Sequence, residues 1–188
     1  MRAPGVVSLL IAVAFMLAAP TPGRAELRIS DLAVFLNDLE ITVHVVVLGA
    51  IPPTFQESIQ SGIPAHVRFT VELWQYNRFW RDRLLITKTI DRQLDYNVVT
   101  KEYKVAAAKG ETRPAYLTRD LRDAQRVLSE VRSLKLAAAS TLEPTEIFYI
   151  RALAETALRG ENTFLTRMAG TAEQTMRQSD YRTIMRVQ

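Results

Sequence analysis

From Val67 onward, apolar and polar residues alternate. Val67, Phe69, Val71 and Leu73 fall on one face; His66, Arg68, Thr70, Glu72 and Trp74 fall on the other. A period of two with β-branched and aromatic residues predicts a half-buried strand. A second alternation sets Leu84, Ile86, Ile90 and Leu94 against Leu85, Thr87, Thr89, Asp91, Gln93 and Asp95. Lys88 and Arg92 interrupt its apolar face, which predicts a bulge or a snorkelling position at the sheet rim. A short loop joins the two strands as antiparallel neighbours. Residues 96–100 finish the second strand. Lys101-Glu102 then turns the chain, and residues 103–105 return as a short third strand.

The same reading extends to both sides. Residues 26–36 form a strand, Asn37-Asp38 a turn, and residues 39–48 a second strand with Ile41, Val43, Val45 and Val47 on one face. Val46 and Leu48 make its other face partly apolar, as in a central strand. Gly49 to Pro53 break the pattern. Thr54 caps a short helix over 55–60 that ends at Ser61-Gly62. Residues 106–114 read as a loop. Thr118 caps a helix whose Leu117, Leu121, Ala124, Leu128 and Val131 recur at helical spacing, and which covers a sheet edge or the mouth of the sandwich. Residues 134–138 are a short strand and Leu142-Glu143-Pro144 a turn. Residues 146–158 alternate again through Phe148, Ile150, Ala152, Ala154 and Leu158. They predict a long final strand, with a helix as the alternative because of the alanines. Residues 159–188 turn polar and read as a helical tail. Together these elements predict a mainly β fold. It is an antiparallel, sandwich-like (immunoglobulin-like) domain of about seven strands over 26–158, with one covering helix and a helical C-terminal tail.

The first 25 residues stand apart. Arg2 precedes an apolar run from Val6 to Ala19, followed by Gly23-Arg24-Ala25, the order of a cleaved signal peptide. The run is about 14 residues, short of the roughly 20 that cross a bilayer. Export to a bacterial periplasm follows, with an uncleaved inner-membrane anchor as the alternative. The chain has no cysteine, which excludes disulfides, a thiol nucleophile and a thiolate-ligated metal. Loss of Arg2 and Arg24 lowers the basic residues from 24 to 22 against 20 acidic ones. That balance argues against a nucleic-acid partner.

Candidate chemistry gathers at one place. Trp74, Tyr76, Arg78, Phe79, Trp80, Arg81 and Arg83 cluster at the hairpin tip, and both tryptophans of the chain are among them. Aromatic and arginine enrichment marks interface hot spots and membrane-interface belts. The competing reading packs Trp74 and Trp80 under the helix or tail. His44 and His66 point away from the apolar faces. If their strands were neighbours the two could share a metal, but no third ligand stands at a telling spacing. Asp91 and Asp95 are roughly 13 Å apart along a strand at about 3.3 Å per residue, too far for a glycosidase pair. Asp120 and Asp123 suit the first turn of a helix. There is no Gly-x-Ser-x-Gly, no His-Glu-x-x-His and no phosphate-cradling glycine loop among only seven glycines. We therefore expect no enzyme, no cofactor and no metal.

The order of motifs resembles the DUF4390 family of exported bacterial proteins of unknown function. Phe55-Gln56-Glu57-Ser58-Ile59-Gln60-Ser61-Gly62-Ile63-Pro64 is similar to its short helix and Gly-hydrophobic-Pro approach to a strand. Residues 67–76 follow with their Trp and Tyr. Tyr96-Asn97-Val98-Val99-Thr100-Lys101-Glu102-Tyr103-Lys104-Val105 matches its Tyr-x-x-hydrophobic-Thr/Ser-basic-x-Tyr-x-Val hairpin, and Leu142-Glu143-Pro144 leads into the strand of Tyr149. The likeness runs over 27–158. It implies a β-sandwich-like domain outside the cytoplasm, with a membrane sensor kinase as partner by family association, and it implies no activity. The expected function is a non-catalytic binding, accessory or sensory module of the envelope, acting through a protein or membrane-surface contact. A carrier of an apolar, lipid-like ligand and a hydrolase are the alternatives.

Overall fold

The computed structural model describes residues 26–37, 39–158 and 172–178. The expected signal segment therefore lies outside the described residues, as do 159–171 and 179–188 of the expected tail. In chain order the elements are β1 (Arg28–Leu36), β2 (Glu40–Leu48), α1 (Pro53–Gln60), β3 (Ala65–Gln75), β4 (Arg83–Asn97), β5 (Glu102–Lys109) and β6 (Tyr116–Thr118). There follow α2 (Leu121–Ser129), β7 (Glu130–Ala138), a single 3-10 turn (Ala139–Thr141), β8 (Phe148–Leu158) and β9 (Ala172–Gln178). The fold is mainly β, with two antiparallel sheets ordered β1-β2-β7 and β6-β5-β4-β3-β8-β9.

The alternation predicts the core faces well. Ile41, Val43, Val45 and Val47 of β2, with Val67, Phe69, Val71 and Leu73 of β3, are all buried. Each such side chain contributes about 1.5–3 kcal/mol by leaving water, which locks the register, because a one-residue slip would turn every one of them outward. β8 is a strand along its whole length. It pairs with β3 from Ala65↔Leu158 to Gln75↔Phe148. Its alanines serve the packing: Ala152 lies opposite Val71 and Ala154 opposite Phe69, small beside large. Thr156 is buried and donates its hydroxyl to the Ala50 carbonyl at 2.8 Å, tying the loop after β2 to the larger sheet.

Several expectations are corrected. Nine strands are described, not seven. Residues 172–178 of the expected helical tail form a strand, β9, along β8. As an edge strand it needs only one pairing partner and no continuous apolar face, so it carries no periodic signal. α1 begins at Pro53, whose fixed φ suits a first helical position, and Thr54 is not its cap. α2 is shorter than expected at its start. Residues 116–118 pair with β5 as β6, leaving Leu117 exposed, and Asp120 caps the helix by accepting from the Arg122 N–H at 2.9 Å. Val131 belongs to β7, which starts at Glu130 directly after the helix. β5 runs on to Lys109 into the expected loop, and β4 ends at Asn97, so Val98 and Val99 lie in the turn.

The expected bulge is present, since the β4–β5 register shifts between Asp91↔Lys109 and Arg92↔Ala107, but Arg92 does not snorkel at the rim. It is 2% exposed. Its Nη1 donates to the carbonyls of Val127 (2.8 Å) and Glu130 (2.6 Å), closing the C-terminal end of α2, and its guanidinium pairs with Glu111. Lys88, its neighbour on the same face, reaches across to the Lys135 carbonyl of β7. The two cations thus link the sheets where apolar packing gives way.

Candidate functional site

The β3–β4 tip is built by local hydrogen bonds. β3 ends at Gln75 and β4 begins at Arg83, leaving residues 76–82 to turn the chain. Tyr76 donates its N–H to the Ile147 carbonyl at 2.8 Å, which fastens the loop to the approach to β8. Asn77 then organises the turn. Its Oδ1 accepts from the N–H groups of Phe79 (3.0 Å) and Trp80 (3.2 Å), and its own N–H donates to Asp82 Oδ1 at 3.0 Å. This is the local side-chain bonding that makes asparagine a turn residue. Asp82 is held from below by the Tyr149 hydroxyl, which donates to its Oδ2 at 2.8 Å.

A second group sits under the tip. The register between β3 and β4 shifts between Leu73↔Ile86 and Trp74↔Leu84, so Leu85 is an extra residue on β4. Trp74 donates Nε1–H to Glu72 at 2.8 Å, and Arg151 Nε donates to the same carboxylate oxygen at 2.8 Å. The Arg151 guanidinium lies 4.2 Å from the Trp74 ring centroid, and Tyr149 stacks beside Trp74 with ring planes 9° apart. Such a charge over an indole face is attractive in its own right. Four residues from β3 and β8 therefore form one rigid platform.

The structure divides the seven candidate residues. Phe79 and Trp80 are 87% and 82% exposed, the extreme of the apex. Arg78, Phe79, Trp80 and Arg81 line one shallow concavity there. The Arg78 guanidinium sits 5.7 Å from the Phe79 ring centroid. Arg83 is exposed opposite Gln75 at the base of the tip, and Leu84 beside it is half-exposed. Trp80 is not packed under a helix. Trp74 and Tyr76 are half-buried and belong to the scaffold. Glu72, Asp82, Tyr149 and Arg151 were missed as members of the site. Three of the four carry no signal of their own, and Tyr149 and Arg151 arrive from 67 and 79 residues away.

The other candidates resolve into structural pairs. His44 and His66 lie on strands of different sheets, so they are not neighbours. His44 Nε2 is 3.2 Å from Glu130. Arg132 also binds Glu130 and, with His44, holds its carboxyl below the usual range. Burial lowers the His66 pKa, against the opposing pull of Asp95 and Asp91. Asp91 is engaged by Arg68 at two points, 2.8 and 3.1 Å. Asp95 accepts from Gln93. Asp123 accepts the Tyr116 hydroxyl and the Arg126 guanidinium, and both lower its pKa. Among the described residues no three His, Asp or Glu side chains are placed to hold a metal, and no helix is long and apolar enough to cross a membrane.

Comparison with curated proteins and with solved structures gives no match. A family model, the domain of unknown function DUF4390, matches residues 24–160. The match covers α1, the β3–β4 hairpin with its tip, the β4–β5 turn and the Tyr149 strand, and the chain belongs to the DUF4390 family.

Proposed function

We propose that this chain is a non-catalytic binding module of the bacterial cell envelope, exported by its N-terminal segment, which docks through the β3–β4 tip. One observation carries the reading. Phe79 and Trp80 stand almost fully in water on a turn whose backbone and carboxylate are braced from three sides. Two adjacent exposed rings flanked by arginines are the composition of a docking patch, and a stiff scaffold lowers the entropy lost on docking. The strand order supports the immunoglobulin-like reading of the domain. β1-β2-β7 facing β5-β4-β3-β8-β9 follows the A-B-E-D against C″-C′-C-F-G order of a variable-type domain, except that β6, in the D position of the chain, pairs with β5 at the C″ edge and not with β7. The tip is then the C–C′ turn. An apolar-ligand carrier draws no support from the space between the sheets, where Ile41, Val43, Phe69, Val71 and Ile150 pack at 1% exposure or less.

The test is a photo-crosslinking residue at position 80 in living cells. Position 99, on the β4–β5 turn, is the control, because Val99 is equally exposed (90%) but not part of the tip. A crosslinked envelope component from position 80 and none from position 99 is the expected result. Equal capture from both positions, or none from either, removes the docking reading.

A further inference from the structure

We propose that the β3–β4 tip seats on an anionic phospholipid surface, with Phe79 and Trp80 entering the headgroup layer while Arg78, Arg81 and Arg83 meet the phosphates. The inference rests on the docking reading above and names its partner. Three features of the apex separate a lipid surface from a protein partner.

The first is size. A stable protein–protein contact covers about 800 Å² on each side and some 20–30 residues. At the tip the exposed aromatic and basic groups are few: Arg78, Phe79, Trp80 and Arg81 at the apex, with Arg83 and Leu84 at its base. Insertion into a headgroup layer needs no such area, because each aromatic ring partitions on its own and each arginine finds its own phosphate.

The second is charge. Arg78, Arg81 and Arg83 are all exposed. Asp82, the carboxylate among them, is drawn inward by the Asn77 N–H and the Tyr149 hydroxyl. The outer surface of the apex is therefore cationic. A basic side chain close to an anionic membrane gains about fivefold in partitioning, so three give on the order of a hundred-fold.

The third is the backbone. A loop that leaves water for the acyl boundary must not carry unmet N–H groups. The two amides that would go deepest, those of Phe79 and Trp80, are both already taken by Asn77 Oδ1. Recognition by β-strand addition would need such amides free; insertion needs them closed.

The experiment uses the full protein recovered from cells. It is mixed with vesicles of phosphatidylcholine alone or with phosphatidylglycerol, carrying brominated acyl chains that quench tryptophan. With phosphatidylglycerol present, fluorescence should be quenched at low salt and recover at high salt; with phosphatidylcholine alone it should stay unquenched. Trp80→Phe should abolish the quenching, since the other tryptophan, Trp74, is held in the platform under the tip. Changing all three arginines to glutamine should weaken binding on the order of a hundred-fold with an unchanged thermal melt. Changing them to lysine should keep most of it, because a phosphate surface reads charge, whereas a shaped protein pocket reads the guanidinium fork. Equal binding by the glutamine variant overturns the proposal. So does absent quenching together with protein capture from position 80, an outcome that leaves the docking reading standing. Absent quenching with no capture at all removes both.

Discussion

Arg92 and Glu111 hold each other at two points inside the domain, Nε to Oε1 at 2.5 Å and Nη2 to Oε2 at 2.9 Å. The arginine also closes α2 by donating to its last carbonyls, and its guanidinium lies 5.9 Å from the Phe69 ring centroid. One side chain thus joins β4, the loop after β5, the end of α2 and the core. A pair with one buried member is expensive to break from either side. Without Glu111 the buried guanidinium has no water to return to; without Arg92 the partly exposed Glu111 loses its partner and two carbonyls at the end of α2 lose their donor. Arg92→Met should destabilise the domain by about 3–5 kcal/mol in urea unfolding. Adding Glu111→Leu should recover part of that loss. A cost under about 1 kcal/mol for Arg92→Met would show that the pair is dispensable.

Glu111 reaches Arg92 because Gly110 turns the chain just before it. Gly110 has φ +83, and a Cβ there would lie 1.9 Å from the Thr89 carbonyl oxygen on β4. Backbone on backbone cannot yield as a flexible side chain can. Gly62 offers the contrast: its φ is +89, but the nearest atom to a Cβ is Val98 Cγ2 at 3.7 Å. Gly62→Ala therefore faces the strain of the left-handed region alone, about 1–3 kcal/mol, while Gly110→Ala adds a clash to the same strain. Chemical denaturation of the two variants should rank Gly110→Ala as clearly the more damaging. Equal costs would mean that the β4 backbone simply moves aside.

What could be read from the chain, and what could not, follows from how far apart the partners are. β2 and β3 were legible because their alternation is local and one face of each is fully buried. The β3–β4 hairpin followed from the short loop between two such strands. Arg92 was misplaced because the carbonyls that receive it lie 35 and 38 residues later, at the end of a helix. α2 was extended too far back because Leu117 fits a helical stripe, while the pairing of residues 116–118 with β5 left no sign in the periodicity. β9 was missed for the same reason: an edge strand with Thr175, Met176 and Arg177 in sequence has no apolar rhythm. At the candidate site the density of aromatic and basic residues was visible, and the exposure of Trp80 was not. The division between scaffold (Trp74) and apex (Trp80) depends on Tyr149 and Arg151, which only the β3–β8 pairing brings near.

His66 makes stability depend on pH. Its pKa is lowered chiefly by burial, with Arg68 adding to the effect and Asp95 and Asp91 opposing it. The unfolded chain therefore binds a proton more readily than the folded one. Above the ordinary histidine value of about 6.5 both states are neutral and His66 has no effect. As pH falls below that value the unfolded state gains the proton first, so stability drops until the folded-state value is passed. Melting temperature should decline as pH is lowered from about 7 through this window. His66→Gln should flatten that part of the curve while leaving the steeper carboxylate-driven loss at lower pH. An unchanged slope in His66→Gln would assign the effect to another group.

The Tyr149–Asp82 hydrogen bond should govern how stiff the tip is. Asp82 is the hinge post of the turn: it takes the Asn77 N–H with one oxygen and the Tyr149 hydroxyl with the other. Tyr149→Phe removes the second tie and preserves the stacking on Trp74. A single hydrogen bond of this type is worth about 1.5–3 kcal/mol when one partner is charged, and less where water can replace it. The global cost should therefore be modest, while the local effect is concentrated. Amide hydrogens of residues 77–82 should exchange faster in Tyr149→Phe, and trypsin should cut after Arg78 or Arg81 sooner than in the parent chain. Strand amides in β3 and β8 should keep their protection. If exchange rises equally in the tip and in those strands, Tyr149 supports the sheet as a whole and not the apex.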